Sequence, residues 1–178
     1  YSVSPVEVTE HWHGTGFSFT VTAPAGCTWT ATPAEPWIKV DRAAGDGSAL
    51  VAVSHDIFIE DATRHAAVQV RWPTPTGGQN VSVAQEGCRY GFDTMPASFP
   101  ASGGTRRVTV VTQAVSASCP LGCPWTAAST APWIHINSSM PRAGDDAFSY
   151  EVQANSGGAR AGAITVAGRT LAVSQAGI

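Results

Sequence analysis

Apolar and polar residues alternate along this chain in short runs. In GFSFTVTA the apolar side chains are Phe17, Phe19 and Val21, each separated from the next by a hydroxyl residue. The runs RVTVVT, ALVAVS, AAVQVRW and FSYEVQ are similar, and turn-forming sequences such as APAG, AAGDG, TPTGG and SGGAR punctuate the chain. Successive side chains of a strand point to opposite faces, so this alternation predicts short strands buried on one face. No stretch keeps a helical period over three turns.

The pattern of these runs is duplicated. CTWTATPAEPWIKV (residues 27–40) returns as CPWTAASTAPWIHI (residues 123–136), with the two tryptophans eight positions apart in each copy. The distance from the second tryptophan to a following arginine is 27 residues in both copies, and VSVAQEG matches LAVSQAG. These spacings predict two homologous domains, 1–87 and 88–178. The second copy carries seven extra residues, SASCPLG, and the first carries six extra around RWPTPTGGQN.

Each copy has room for about seven antiparallel strands in just under 90 residues, the size of an immunoglobulin-like β-sandwich. We therefore predict an all-β protein made of two tandem immunoglobulin-like β-sandwich domains. Indoles that recur at one spacing in both copies are predicted to fill the cores, with ligand contact as the alternative. These residues are Trp29, Trp37, Trp125 and Trp133.

Composition narrows the class of protein. Of 178 residues, 43% are hydrophobic and 13% are charged, which provides enough apolar material for a core. The net charge of −3, with Lys39 as the single lysine, gives no electrostatic reason to expect nucleic acid or an anionic membrane as partner. No run of 18 apolar residues is present, so membrane insertion is not predicted. The chain starts at Tyr1 and not at a methionine, from which we expect a segment trimmed from a longer protein.

An ordered set of short motifs resembles the BACON-type domain family. The second copy has Cys-x-Tyr at its start, then Cys-x-Trp-Thr-Ala, Pro-Trp-Ile, an arginine before the last hairpin, and a closing Val-x-Gln-x-Gly. These motifs lie at residues 88–90, 123–127, 132–134, 160 and 173–177. The first copy has the corresponding residues at 1, 27–31, 36–38, 64 and 83–87. The resemblance spans nearly the whole chain.

The resemblance implies an all-β domain that occurs in tandem or attached to extracellular bacterial enzymes and surface proteins. It implies carbohydrate binding as one role and a spacer between other domains as a competing role. It supplies no catalytic residues. The location that it implies is extracellular or at the bacterial cell surface.

The cysteines point to an oxidising, exported setting. In an immunoglobulin-like path, Cys88 at the start of the first strand lies near Cys123, where the second strand hands over to the third. A bridge between them closes a loop of about 35 residues and stabilises the domain by about 3–4 kcal/mol in the chain-entropy model. In the first copy the residue corresponding to Cys88 would lie just before Tyr1, which leaves Cys27 without an evident partner.

Cys119 has no counterpart in the first copy. It could compete with Cys123 for Cys88 or bridge Cys123 locally, and a Cys27–Cys119 bond between subunits of an assembly is a further alternative. A metal site at Cys119-x-x-x-Cys123 is not predicted, because structural zinc needs two more ligands.

Candidate chemistry is sparse. His11-Trp12-His13 is the most metal-like cluster, because alternate residues of a strand share a face, but the glycines that follow favour a solvated loop. Asp41 and Asp46 lack the full ligand sequence of a calcium loop. No nucleophile stands at motif spacing from a histidine and an acid. We therefore predict a non-enzyme with no catalytic residue, no metal and no cofactor.

Two indoles, Trp12 and Trp72, occur in the first copy only, so the shared core does not require them. Trp72 lies in the longer hairpin, where Arg71 and Gln79 could flank its ring. An exposed indole offers an apolar face to the C–H side of a sugar and an N–H to its hydroxyls. These four residues are the predicted carbohydrate-binding set. The alternative is that the two indoles cover the edge of the core or pack against the neighbouring domain.

Two functions of different classes follow. The first is a non-catalytic structural unit, either a rigid tandem spacer or a subunit of a surface assembly or fibre, with neighbouring domains or identical subunits as partners. The short linker EGCRYG favours it, and the N-terminal YSVSPVEV is suited to strand addition at an exposed sheet edge. The second is a carbohydrate-binding module for a polysaccharide or glycan. We favour the structural unit, because no loop is long or polar enough for an obvious sugar cleft.

Overall fold

The computed structural model describes residues 1–73, 77–92, 96–114 and 122–178. Regular structure in these ranges is β-strand, without an α-helix. Within the same ranges, no helix is long and apolar enough to cross a membrane. The chain divides into two compact units, Tyr1–Cys88 and Arg89–Ile178. The predicted all-β class is confirmed.

The first domain is a sandwich of two sheets. Its strands are β1 (Ser2–Ser4), β2 (Glu7–Glu10), β3 (Phe17–Thr22), β4 (Thr28–Pro33), β5 (Ile38–Val40), β6 (Ala44–Asp46), β7 (Ala49–His55), β8 (Thr63–Arg71) and β9 (Gly78–Glu86). One sheet has the order β1-β3-β7-β5 and the other β2-β9-β8-β4-β6. Neighbouring strands are antiparallel except for β2 and β9, which run parallel. Two mainly antiparallel sheets over one core form the predicted immunoglobulin-like sandwich.

The core of the first domain comes from the apolar members of the alternating runs. In β3, Phe19 and Val21 are fully buried, whereas Ser18 and Thr20, which alternate with them, face water. Phe19 lies opposite Val51 of β7 in the strand register. The core comprises Val3, Phe19, Val21, Trp29, Ala31, Ile38, Val51, Val53, Val68, Val70, Val81 and Val83. A slip of one residue would turn a strand's whole apolar set to solvent, so the alternation specifies this register.

The second domain repeats this topology. Its strands are β10 (Cys88–Phe92), β11 (Ala97–Phe99), β12 (Gly104–Ala114), β13 (Pro124–Trp125), β14 (Ala127–Ser129), β15 (Ile134–Ile136), β16 (Arg142–Ala143), β17 (Asp146–Val152), β18 (Arg160–Val166) and β19 (Arg169–Gln175). The sheet orders are β10-β12-β17-β15 and β11-β19-β18-β14, with β13 and β16 paired separately. As with β2 and β9, β11 runs parallel to β19. The duplication in the sequence is therefore a duplication of the fold.

The four repeated tryptophans are buried to different degrees. Trp29 and Trp125 are 2% and 3% exposed, which confirms the prediction that they fill the two cores. Trp37 and Trp133 are only half-buried, so they lie at the margins of the cores and not inside them. An arginine side chain lies over each of these two rings.

The N-terminal YSVSPVEV is part of its own domain. Its first half forms β1, which pairs antiparallel with β3, and its second half forms β2, which pairs parallel with β9. The ladder hydrogen bonds of this segment are therefore made within the first domain. The segment is thus not a separate free strand, because it supplies one edge strand to each sheet of its own domain.

Candidate functional site

The predicted carbohydrate site lies where β8 ends. Arg71 is the last residue of β8, and Trp72 and Pro73 follow it. Together with Thr28, Trp29 and Thr30 of β4, these residues line a shallow pocket of about 260 Å³. The pocket presents hydroxyl groups, a guanidinium and part of an indole. Of the four residues predicted to bind carbohydrate, Arg71 and Trp72 line this pocket.

One face of the Trp72 indole is covered by another aromatic ring. Tyr1 stacks on its indole with ring centroids 4.7 Å apart and planes 6° apart. The phenol oxygen of Tyr1 in turn donates to the carbonyl of Thr28 at 3.1 Å, which anchors the ring where it lies. Trp72 is half-buried and packs against the core of the domain. Trp72 therefore covers the edge of the core, as the alternative to carbohydrate binding in the sequence analysis expects.

The two polar residues expected to flank the indole have partners within their own domain. Arg71 Nη1 donates to the carbonyl of Val70 at 3.0 Å and to Oδ1 of Asn80 at 3.0 Å. Gln79 Oε1 accepts from the backbone N–H of Val3 at 2.7 Å, and so ties the hairpin to β1. These contacts hold the β8–β9 hairpin together. A sugar hydroxyl would have to compete with them.

Trp12 does not join this site. It lies in the turn between β2 and β3, and its carbonyl accepts from the N–H of Phe58, in the connection between β7 and β8. Trp72 lies beyond the other end of β8, a strand of nine residues that spans roughly 27 Å. The indole of Trp12 is half-buried and packs edge-to-face on His13, with centroids 5.1 Å apart. The structure therefore separates the two unrepeated indoles.

The two histidines of the predicted metal-like cluster lie near one another. His11 and His13 have ring centroids 6.1 Å apart. Across the described residues, no group of three or more His, Cys, Asp or Glu side chains is placed to hold a metal ion. His11 Nδ1 lies 3.8 Å from Oε2 of Glu86.

Beside this turn lies a buried polar network that the sequence did not predict. Gln85 Nε2 is 2.8 Å from His55 Nδ1, and His55 Nε2 is 3.2 Å from Oε2 of Glu10. In the His55 tautomer in which Nδ1 accepts from this amide, Nε2–H donates to the carboxylate. In the second domain, Phe99 and Val152 occupy the positions of Glu10 and His55. A polar pair at positions that are apolar in the other copy is the feature of the sequence that could have indicated this network.

A second unpredicted arrangement occurs in both domains. The guanidinium carbon of Arg64 lies 4.0 Å from the centroid of the Trp37 ring, and Nε donates to Oε1 of Gln85 at 2.8 Å. In the second domain, Arg160 lies 4.4 Å from the centroid of the Trp133 ring and donates to Oε1 of Gln175 at 2.8 Å. The constant spacing from tryptophan to arginine reflects this contact.

The arginine is held tightly by this arrangement. Burial lowers the pKa of the Arg64 guanidinium from its usual value, while the carboxylates of Asp56 and Glu60 oppose that shift. An arginine remains charged in proteins nonetheless, so the contact with Trp37 is a cation–π contact. Each arginine contacts an indole on one side and a glutamine of the same domain on the other. The two half-buried indoles therefore take part in contacts that hold their own domain together.

The cysteines divide into two states. Cys88 and Cys123 are each disulfide-bonded, as the predicted Cys88–Cys123 bridge requires. Cys27 is a free, half-buried thiol. Cys119 lies outside the described residues.

Comparison with known families gives one sequence match. Residues 124–176 match the model of the BACON family, described as "Putative binding domain, N-terminal". No curated protein sequence matches this chain.

Several solved structures are similar in chain path. A Bacteroides ovatus GH5 xyloglucanase, in complex with a XXXG heptasaccharide, is 19% identical with a TM-score of 0.44, over 54% of this chain and 20% of that one. The chain therefore spans a fifth of the xyloglucanase's length. The D0-D1 domain of Intimin is 11% identical with a TM-score of 0.38, over 97% of this chain and 93% of that one. Domains 5-6 of the S-layer protein SbsC are 15% identical with a TM-score of 0.38, over 99% of this chain and 96% of that one.

These structural scores are too low to relate residues or functions of those proteins to this chain. The sequence match carries more weight, since it covers 124–176 and includes the repeated Pro-Trp-Ile motif, Arg160 and nearly all of the closing Val-x-Gln-x-Gly motif. Residues 124–176 of the second domain are therefore similar to the BACON family.

Proposed function

We propose that this chain is a non-catalytic structural unit, a rigid tandem spacer within an exported bacterial surface protein. The observation that carries the proposal is the commitment of the candidate recognition residues to the fold. Tyr1 covers Trp72, and Gln79 binds the backbone of Val3. The repeated Trp37 and Trp133 are each capped by an arginine of their own domain. Side chains occupied in this way support a folding role over ligand recognition.

The junction between the domains also supports a spacer. β9 ends at Glu86 and β10 begins at Cys88, which leaves Gly87 as the single residue between the strands. Gly87 is buried, and its N–H donates to the carbonyl of Ala62 at 2.9 Å. A Cβ at Gly87 would lie 2.0 Å from the carbonyl oxygen of Glu60, so no other residue fits without a shift of backbone. A one-residue connection held in this way has little freedom to act as a flexible linker.

The disulfide supports an exported location. Disulfides persist in the periplasm, at the cell surface and outside the cell, and are rare in the reducing cytosol. Cys88 and Cys123 are both oxidised. The partners of a spacer are the domains on either side of it or identical copies of the chain.

Backbone ¹⁵N relaxation tests the spacer directly. In the intact chain we expect both domains to report one rotational correlation time, that of a single body of 178 residues. A variant with Gly-Ser-Gly-Ser inserted between Gly87 and Cys88 is the control, and should give two shorter and independent times. Independent tumbling of the domains in the unaltered chain would contradict the proposal.

The shallow pocket at the end of β8 favours one second candidate, a carbohydrate-binding module. Thr28, Thr30 and Arg71 offer polar groups next to the uncovered part of the Trp72 indole. A glycan array with the unaltered chain and with Trp72→Ala tests this candidate. The matched control is Trp12→Ala, which removes the other unrepeated indole at the opposite end of β8. Binding that is lost in Trp72→Ala and kept in Trp12→Ala would support recognition, and the absence of any bound glycan would exclude it.

A further inference from the structure

The surroundings of the free thiol Cys27 match those of the bonded Cys123. Gly47 N–H donates to the carbonyl of Cys27 at 3.0 Å, and Gly144 N–H donates to the carbonyl of Cys123 at 3.0 Å. Each of these glycines accepts, through its own carbonyl, the indole N–H of its domain's core tryptophan at 2.9 Å. Cys27 and Cys123 therefore occupy the same position of the same fold.

The tyrosine near each cysteine is equivalent as well. Tyr1 OH donates to the carbonyl of Thr28 at 3.1 Å, and Tyr90 OH donates to that of Pro124 at 2.7 Å. Thr28 directly follows Cys27, as Pro124 follows Cys123. Both tyrosines thus bring the start of their domain's first strand to the cysteine.

The two copies differ in one respect. Tyr90 is preceded, two positions earlier, by Cys88, which is disulfide-bonded as Cys123 is, whereas Cys27 is not bonded. We propose that Cys27 is a disulfide-forming site for a cysteine placed two positions N-terminal to Tyr1, so that the first domain is closed as the second is.

The thiol is accessible to such a partner. Cys27 is half-buried, so a thiolate or a disulfide can approach its sulfur. In the reaction two thiols lose two protons and two electrons, and oxidised glutathione accepts them to give two molecules of glutathione. The attack proceeds through a mixed disulfide at one of the two cysteines.

The test extends the chain by Cys-Arg before Tyr1, which reproduces the Cys88-Arg89-Tyr90 sequence, in a Cys119→Ser background. After oxidation with glutathione, peptide mapping by mass spectrometry should find the added cysteine linked to Cys27. Ellman's reagent should then detect no free thiol. The melting temperature of the first domain should rise by about 5–15 °C, because the bridge restricts the unfolded chain.

Two controls make the result specific. With Cys27→Ser in the extended chain, the added thiol should stay free and the melting temperature should not rise. With the added cysteine directly before Tyr1, its side chain should point to the other face of the strand, and bridging should slow by at least about tenfold. A Cys27 that remains reactive in the Cys-Arg variant would overturn the proposal. So would equally fast bridging at both positions.

Discussion

The phenol ring of Tyr1 lies flat against the indole of Trp72, with the ring centroids 4.7 Å apart and the ring planes 6° apart. Offset-stacked aromatic pairs contribute about 0.5–1.5 kcal/mol beyond the area they bury. The contact joins the first residue of the domain to the start of its β8–β9 hairpin. It gives an unrepeated indole a role in closing the sandwich, because the ring covers one side of the core while Tyr1 covers the ring.

The repeated arginines should be sensitive to a change that conserves their charge. We expect Arg64→Lys to lower the free energy of unfolding of the first domain by about 1–2 kcal/mol. Lysine cannot both lie flat over Trp37 and donate to Gln85 from a planar group. Unfolding in guanidinium chloride measures the loss.

Exposed Arg42 provides the matched control, since Arg42→Lys should leave the stability unchanged. Arg160→Lys should reproduce the loss in the second domain. Equal stabilities for Arg64→Lys and Arg42→Lys would show that the cation–π contact contributes nothing.

The close approach of β18 to Trp133 makes Gly162 intolerant of a side chain. A Cβ there would lie 2.9 Å from the Cβ of Ala131 and 2.9 Å from the ring of Trp133. We expect Gly162→Ala to destabilise the second domain by about 1–3 kcal/mol, as overpacking does. Gly158→Ala is the control in the same domain, because a Cβ at Gly158 meets nothing within 4 Å. Thermal unfolding of both variants measures the difference, and equal melting temperatures would show that Gly162 tolerates a side chain.

Asp146 should make the second domain sensitive to acid. The backbone N–H of Ala147 and the side chain of Arg142 hold the pKa of this carboxyl below its usual value. A lowered pKa in the folded state stabilises the domain above the unfolded pKa, and this contribution is lost as the pH falls through the folded value. We therefore expect Asp146→Asn to be less stable than the unaltered chain at pH 7, with the gap closing below about pH 4. A gap that stays constant from pH 7 to pH 2 would contradict this assignment.

The strands and the cores could be predicted from the sequence, but the side-chain contacts could not. Alternation in β3 indicated its buried face, because apolar residues at every second position over six residues are typical of a strand that is buried on one face. The repeat predicted that four indoles fill the cores, which holds for Trp29 and Trp125 but not for the other two, which are half-buried. Nothing local to Trp72 shows that Tyr1, 71 positions earlier, stacks on it. The repeat marked Arg64 and Gln85 as equivalent to Arg160 and Gln175 without showing that each pair is in contact.

The buried pair of Glu10 and His55 occupies positions that are apolar in the second domain. We expect His55→Val alone to destabilise the first domain by about 2–3 kcal/mol, because it leaves the Glu10 carboxylate unpaired in a mostly buried site. Combining it with Glu10→Phe, which copies Phe99 and Val152, should recover most of the loss. Unfolding of the two single variants and the double variant forms a double-mutant cycle. A double variant no more stable than His55→Val would show that the two residues are not coupled.

The free energy of unfolding of Trp72→Ala shows whether this indole belongs to the fold or forms an open recognition surface. We predict that the first domain loses about 2 kcal/mol, somewhat less than a fully buried tryptophan would cost, because Trp72 is half-buried between Tyr1 and the core. A loss of less than about 0.5 kcal/mol, the range of an ordinary surface substitution, would show that the indole is not part of the fold and is free for a ligand.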